Sequence, residues 1–264
     1  MVGTNQLEGP RTVNVGDEVA VVGDVHGCGT SLARLLDRLD RTSPRARVIL
    51  VGDLLTKGPT PERVVRLVRE RRRGGPIESV CGNHDRRMLA ALLAMEQGAS
   101  LEELPGHERR CWVRLAAHGE LASAREILCD AVRRVTIEGP ARAWTVLHAG
   151  IDPRLGLDRS SDEVKWSIKA RPGETAWWEQ YGGQDGLLVF GHKPLDAPLR
   201  RTIDRAPVAV NVDTGCVEGG PLTAYLVHAD RFLSVESEVL SVSRVASVPR
   251  SASGVRSRSF AGSS

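Results

Sequence analysis

Short apolar runs alternate along the chain with stretches in which leucine and valine recur every third or fourth position. "EVAVVGD" (18–24), "ARVILVGDL" (46–54), "IESVCGN" (77–83), "AWTVLHAG" (143–150), "GLLVFGH" (186–192), "PVAVNVDTG" (207–215), "LTAYLVH" (222–228) and "RFLSVES" (231–237) have strand length and glycine boundaries. Their β-branched content predicts buried strands. Between the first three lie helical patterns. "TSLARLLDRLDRTS" (30–43) carries Leu32, Leu35, Leu36 and Leu39 on one face, with Thr30 or Ser31 as its expected cap. "TPERVVRLVRERRRGG" (60–75) opens on Pro61 and stops at glycine. Strand–helix–strand–helix–strand implies right-handed crossovers and a largely parallel sheet. The later, closely spaced strands imply hairpins. The expected architecture is an α/β sandwich with a mixed second sheet.

Residues 86–135 read as a helical insertion over one face: "DRRMLAALLAMEQGASLEEL" is followed by "CWVRLAAHGELASAREILCDAVRRV". From about 240 the chain is Ser, Arg, Ala and Gly without period, the composition of a disordered tail. The expected organisation is therefore a catalytic domain over 1–240 and a tail over 241–264.

Composition narrows the class. At 264 residues and 41% apolar, the chain can bury a large core, yet only 4% is aromatic, so packing rests on Val, Leu, Ile and Ala. The net charge of +3 is uneven: 241–264 holds Arg244, Arg250, Arg256 and Arg258 and no acid, leaving about −1 for the rest. That is not a nucleic-acid surface, and no stable nucleic-acid partner is expected. Five scattered cysteines without a CxxC pair suggest a reduced, cytoplasmic protein. No apolar run reaches membrane-spanning length, and no membrane partner is expected. Arginine outnumbers lysine 32 to four, which reads as coding bias.

The chemistry sits at the strand ends. The first run ends in "GDVHG" with Asp24 and His26, the second in "GDLLTKGP" with Asp53, and the third in "GNHD" with Asn83 and His84. Later runs end in "HAG" with His148 and "GHKP" with His192. Ligands of parallel sheets bind beyond the carboxyl ends of strands, so five runs deliver these side chains to one edge. Carboxylate, amide and imidazole donors suit manganese, iron, zinc or nickel better than calcium or magnesium. A carboxylate between two such ions bridges them at roughly 3.5–4 Å. His107, His118 and His228 stand outside the pattern and read as structural.

The order "GDVHG", "GDLLTKGP", "GNHD", "HAG", "GHKP" across residues 23–194, extended by "NVDTGCVEGGPLTAYLV" at 211–227, resembles the calcineurin-like metallophosphoesterases in their phosphoprotein-phosphatase branch. The resemblance implies two mixed sheets flanked by helices, and two divalent transition-metal ions, manganese first, with iron, zinc, nickel or cobalt as other occupants. By it, Asp24 and His26 bind one ion, Asp53 bridges, and Asn83, His148 and His192 bind the second. His84 is left as general acid while a bridging hydroxide attacks phosphorus in line.

Thr56-Lys57 stands where the protein Ser/Thr phosphatases carry Asp-Arg. Lys57 keeps the cation but not the bidentate fork. In lacking the Asp, and in its "DTGC" ending, the chain resembles more the bacterial symmetrical diadenosine tetraphosphatases and ApaH-like phosphatases. The implied substrates are nucleotide polyphosphates such as diadenosine tetraphosphate. Protein Ser/Thr phosphatase, polynucleotide or RNA-end phosphatase, and a non-catalytic metal-binding scaffold are the alternatives. Lys57 and Arg86 are the first candidates for substrate phosphate. Arg87, Lys165, Lys169 and Arg171 are others. Trp166, Trp177 and Trp178 are weighed as base-stacking or core residues.

Overall fold

The structure, a computed structural model, describes residues 9, 11–13, 18–137, 143–170 and 173–240. The expected tail at 241–264 and Arg171 lie outside them. In chain order the strands are β1 (Arg11–Val13), β2 (Val19–Val22), β3 (Arg47–Leu50), β4 (Ile77–Ser79), β5 (Val135–Ile137), β6 (Trp144–Val146), β7 (Leu187–Phe190), β8 (Leu199–Ile203), β9 (Ala206–Asn211), β10 (Leu222–Leu226) and β11 (Arg231–Val235). The helices are α1 (Gly29–Thr42), α2 (Pro61–Gly74), α3 (Asn83–Glu96), α4 (Gly106–Ala117), α5 (Leu121–Cys129) and three of at most six residues, α6 (Gly156–Arg159), α7 (Asp162–Ser167) and α8 (Trp177–Gln180).

Two mixed sheets form. One runs β11-β10-β2-β3-β4, with β2, β3 and β4 parallel and β10–β11 a hairpin. The other runs β1-β5-β6-β7-β9-β8, with β6, β7 and β9 parallel. Period-two alternation sorts the apolar residues into layers. Val19 and Val21 of β2 and Ile49 of β3 join Val146, Val189 and Val210 between the sheets. Their neighbours Ala20, Val22, Val48 and Leu50 face the opposite way, against Leu32, Leu35 and Leu39 of α1 and Val64 and Val65 of α2. Leu188, Phe190 and Ala209 pack outward on Trp177, Trp178 and Tyr181.

The helical stretch after "GNHD" begins at Asn83 and ends at Cys129. Its α3, α4 and α5 extend the layer begun by α1 and α2, as Met88, Leu92, Leu115 and Ile127 share that cluster. Neither Thr30 nor Ser31 caps α1. The first amides are held from afar, Gly29 N by Thr60 Oγ1 (2.9 Å) and Ser31 N by Glu238 Oε2 (3.1 Å). Strands β1, β5 and β8 have no counterpart among the apolar runs, since each is short or polar. In β8, "LRRTI", no residue is fully buried.

Candidate metal centre

The strand ends converge as expected, but from two sheets rather than one edge. Strands β2, β3 and β4 deliver Asp24, His26, Asp53, Asn83 and His84. Strands β6 and β7 of the other sheet deliver His148 and His192. Four side chains enter from residues at positive φ: His26 (46°), Asp53 (52°), Lys57 (77°) and His192 (69°). Non-glycine residues adopt this conformation at a cost of about 1–3 kcal/mol each, and they cluster where surrounding contacts over-determine them.

Those contacts are present around Asp53. Asp85 is buried and accepts from three backbone amides, Asp53 N (2.7 Å), Leu54 N (2.8 Å) and Gly82 N (3.0 Å). Asp53 Oδ1 in turn accepts from His84 N (2.8 Å) at the amino end of α3, where helix amides favour an anion. Asp24 Oδ1 accepts from His192 N at 3.1 Å. A Cβ at position 191 would stand 2.1 Å from Asp24 Oδ1, so a larger residue there must displace that carboxylate.

Two donor triads share Asp53. His26, Asp53 and His84 form one, and Asp53, His148 and His192 the other, with the donor atoms of each within 4.8 Å of one another. His148 Nδ1 is 2.8 Å from Val51 O, so it carries the proton and donates. Its Nε2 is left facing Asn83 Oδ1 (3.1 Å) and Asp53 Oδ1 (3.5 Å). Asp24 Oδ2, His26 Nδ1 and His192 Nε2 are buried without a hydrogen-bond partner, a state that normally costs about 1–3 kcal/mol per group.

The electrostatics agree with that accounting. Burial pushes Asp53 and Asp213 up to about 6 and Asp24 well above the usual carboxylate range; Asp213 and Asp53 add repulsion at Asp24. Burial also lowers His84 to about 2, His192 to about 3, His148 to about 4, and His26 well below the ordinary imidazole range. Neutral imidazoles beside crowded, desolvated carboxylates are what a divalent cation requires. The Lys57 ammonium, 2.8 Å from His26 Nε2, is a counter-charge the chain itself supplies. The donor set therefore fits two metal ions.

A cavity of about 230 Å³ opens over these residues. Asp213, at the end of β9, lines it and was not singled out by sequence reasoning; the signal was the "DTGC" turn, in which Gly215 N bonds Asp213 Oδ1 (3.0 Å). Lys57, Lys169 and Lys193 also line it. Arg86 is not brought there: it pairs with Glu163 (3.2 Å) and lies 3.9 Å over the Trp166 ring. Lys165 is likewise buried away from the cavity. Trp166, Trp177 and Trp178 are core residues. His84 Nδ1 lies 3.0 Å from Thr56 Oγ1 and 2.6 Å from Arg87 Nη2. Thr56 and Arg87, not the neighbouring Asp85, are thus its partners.

Two sheets of this connectivity with such a centre define a metallophosphoesterase. The chain belongs to the calcineurin-like phosphoesterase family, whose model matches residues 18–227, and it is a hydrolase of phosphate esters or anhydrides. Members work with a dinuclear metal centre.

Its relatives are more particular. It is 30% identical to the asymmetrical bis(5'-nucleosyl)-tetraphosphatase PrpE of Halalkalibacterium halodurans, over 82% of this chain and 93% of that one. It is 29% identical to the symmetrical bis(5'-nucleosyl)-tetraphosphatase of Paracidovorax citrulli (77% and 90% covered). It is also 31% identical to serine/threonine-protein phosphatase 1 of Salmonella typhimurium (78% and 89%). A crystal structure of a proposed diadenosine tetraphosphatase superposes with TM-score 0.64 at 27% identity, covering 86% of this chain and 97% of that one.

Proposed function

We propose that this chain hydrolyses dinucleoside polyphosphates such as diadenosine tetraphosphate at a dimetal centre. The observation that carries the reading is the pair of donor triads sharing Asp53 on the floor of a cavity lined by three lysines. In this reading Asp24 and His26 would hold one ion and Asn83, His148 and His192 the other, with Asp53 serving both. Manganese is the expected occupant. When bound, the two ions neutralise phosphoryl oxygens and supply the nucleophile at neutral pH.

The chain's own residues do the rest. The Val51 carbonyl fixes the His148 tautomer, so Nε2 faces inward. Lys57 and Lys169 take the phosphates that do not react. His84 gives its proton to the leaving oxygen. Burial, Lys57 and Arg87 together hold it neutral before substrate arrives; a bound polyphosphate offsets both cations and raises its proton affinity. Thr56 orients the ring through Nδ1. The catalytic unit is 1–240, so a chain ending at residue 240 should keep the wild-type rate. No helix among the described residues is long and apolar enough to cross a membrane, and five free thiols agree with a cytoplasmic site of action.

The test is a substrate panel with manganese: diadenosine tetraphosphate, capped RNA, a phosphopeptide and para-nitrophenyl phosphate. Diadenosine tetraphosphate should lead by kcat/KM, and its products, two ADP or ATP with AMP, identify the bond cut. Preference for the phosphopeptide refutes the reading in favour of a protein phosphatase, preference for capped RNA in favour of an RNA-end phosphatase. No metal-dependent turnover of any substrate refutes it in favour of a scaffold.

A further inference from the structure

Resting on that reading, we infer that the metal cavity is the middle of a three-chambered trough, and that its two outer chambers seat the two nucleoside ends of the substrate. The middle chamber, about 230 Å³, is below the roughly 300–1,000 Å³ of small-molecule sites. It suits phosphates and not a nucleoside. One outer chamber, of about 500 Å³, shares Lys57 and Val217 with it; Pro59, Cys111 and Val239 form apolar wall, and Arg110 of α4 stands at the rim. The other, of about 450 Å³, shares Lys169; Pro153, Ile168, Thr175 and Trp177 line it.

Lysine placement follows the same division. Only four lysines stand among 36 basic residues, yet three of them line the middle chamber. Two of those three mark the thresholds to the outer chambers. A lysine is a mobile point charge that follows a flexible polyphosphate without demanding one fork geometry. The outer chambers mix acids with arginines, Glu238 with Arg110 and Arg114 in one and Asp152 and Glu174 with Arg154 in the other, while the middle chamber sets its lysines beside Asp53, Asp213 and Glu218. Glu238 is held by the Thr60 hydroxyl (2.8 Å) and the Ser31 amide (3.1 Å), and Asp152 by the Arg154 amide (2.9 Å). Walls that mix apolar, acidic and basic groups admit an uncharged nucleoside. On the α4 side, Arg114 is engaged by Glu62 (2.8 Å). Arg110 donates to His107 Nδ1 (2.8 Å) and is placed to cover a base. A ligand with a polyanion in the middle and an apolar ring system at each end satisfies all three chambers. A one-ended phosphate ester satisfies at most two.

The experiment is calorimetric binding to the metal-loaded full chain at fixed free manganese, using methylene-bridged diadenosine tetraphosphate, ATP and inorganic tripolyphosphate. The two-ended analogue is expected to bind about 10-fold or more tighter than ATP, and ATP tighter than tripolyphosphate, since tethering makes the second contact intramolecular. Val239→Trp and Thr175→Trp, each filling one outer chamber, should each weaken the analogue about 10-fold. Together they should bring it to the tripolyphosphate level, with tripolyphosphate itself within 2-fold of wild type. Arg110→Ala should weaken the analogue without occluding the chamber. An unchanged analogue affinity in both Trp variants overturns the proposal, and so does an equal loss for tripolyphosphate. Tight, chamber-dependent binding without hydrolysis of diadenosine tetraphosphate leaves the trough standing and removes the proposed function. Hydrolysis without chamber dependence does the reverse.

Discussion

A single methyl group added at Gly82 tests whether the position of Asp53 governs the site. Gly82 caps α3 at φ −90° and ψ 169°, a conformation open to any L-residue, so alanine there brings no backbone strain. Its Cβ would lie 2.2 Å from Asp53 Oδ1 and 2.5 Å from Asp53 N. Ordinary contact begins at 3.4 Å, so the gap must open by 1.2 Å. Either the Asp53 segment retreats or the start of α3 does. Each movement breaks a bond across the interface, Asp53 N to Asp85 (2.7 Å) or His84 N to Asp53 (2.8 Å). A misplacement near 1 Å costs catalysis about 10²-fold, and overpacking costs about 1–3 kcal/mol. Gly82→Ala should therefore lower kcat on para-nitrophenyl phosphate about 10²-fold with lowered metal content, and should melt earlier. Gly74→Ala is the control: it closes α2, its Cβ meets nothing within 4 Å, and it should keep wild-type activity with an equal or higher Tm. Wild-type kcat and two bound metals in Gly82→Ala would refute the reasoning.

Asp53→Asn removes the charge shared by both triads, and should abolish turnover and lower metal content while the far-UV circular dichroism stays native; wild-type rates at matched metal loading would contradict the shared position. His84→Asn should slow an alkyl phosphate by about 10²–10⁴-fold and para-nitrophenyl phosphate or an anhydride far less, because their leaving groups need little protonation. Equal losses on both, with falling metal content, would make His84 a ligand instead. Metal addition should raise Tm more at pH 7.5 than at pH 5. Burial lifts Asp53 and Asp213 to about 6 from the 3.8 at which they ionise unfolded. Between those values the metal-free fold holds more protons than the unfolded chain, so these groups lose it stability as pH rises. A cation reverses that cost above pH 6 and must displace protons below it. His148 and His192, already neutral at pH 5, add no opposing competition there, and equal Tm gains at both pH values would count against carboxylate ligation.

The candidate ligand types were legible in the sequence because their cause is local. An apolar run cannot continue through Gly-Asp or Gly-His, so each strand's end was marked where its chemistry begins, and the six expected ligands and His84 do converge. Helices α1 and α2 were legible for the same reason, from leucine and valine spaced along one face. Tertiary structure decided what depends on remote partners. Strand pairing assigned β2, β3 and β4 to one sheet and β6, β7 and β9 to the other, so the site lies across two carboxyl edges. Positive φ at His26, Asp53 and His192 aimed side chains in directions that a spacing rule does not contain. Asp85 turned away from the adjacent His84 to three backbone amides, while Thr56, 28 residues upstream, came to the His84 ring. Arg86 followed its helix face to Trp166 and Glu163, whereas Lys169 and Lys193, distant in sequence from Lys57, arrived at the same cavity. Residue type and strand ending are written within a few positions of chain; the direction of a side chain is set by φ and by whatever the fold packs against it.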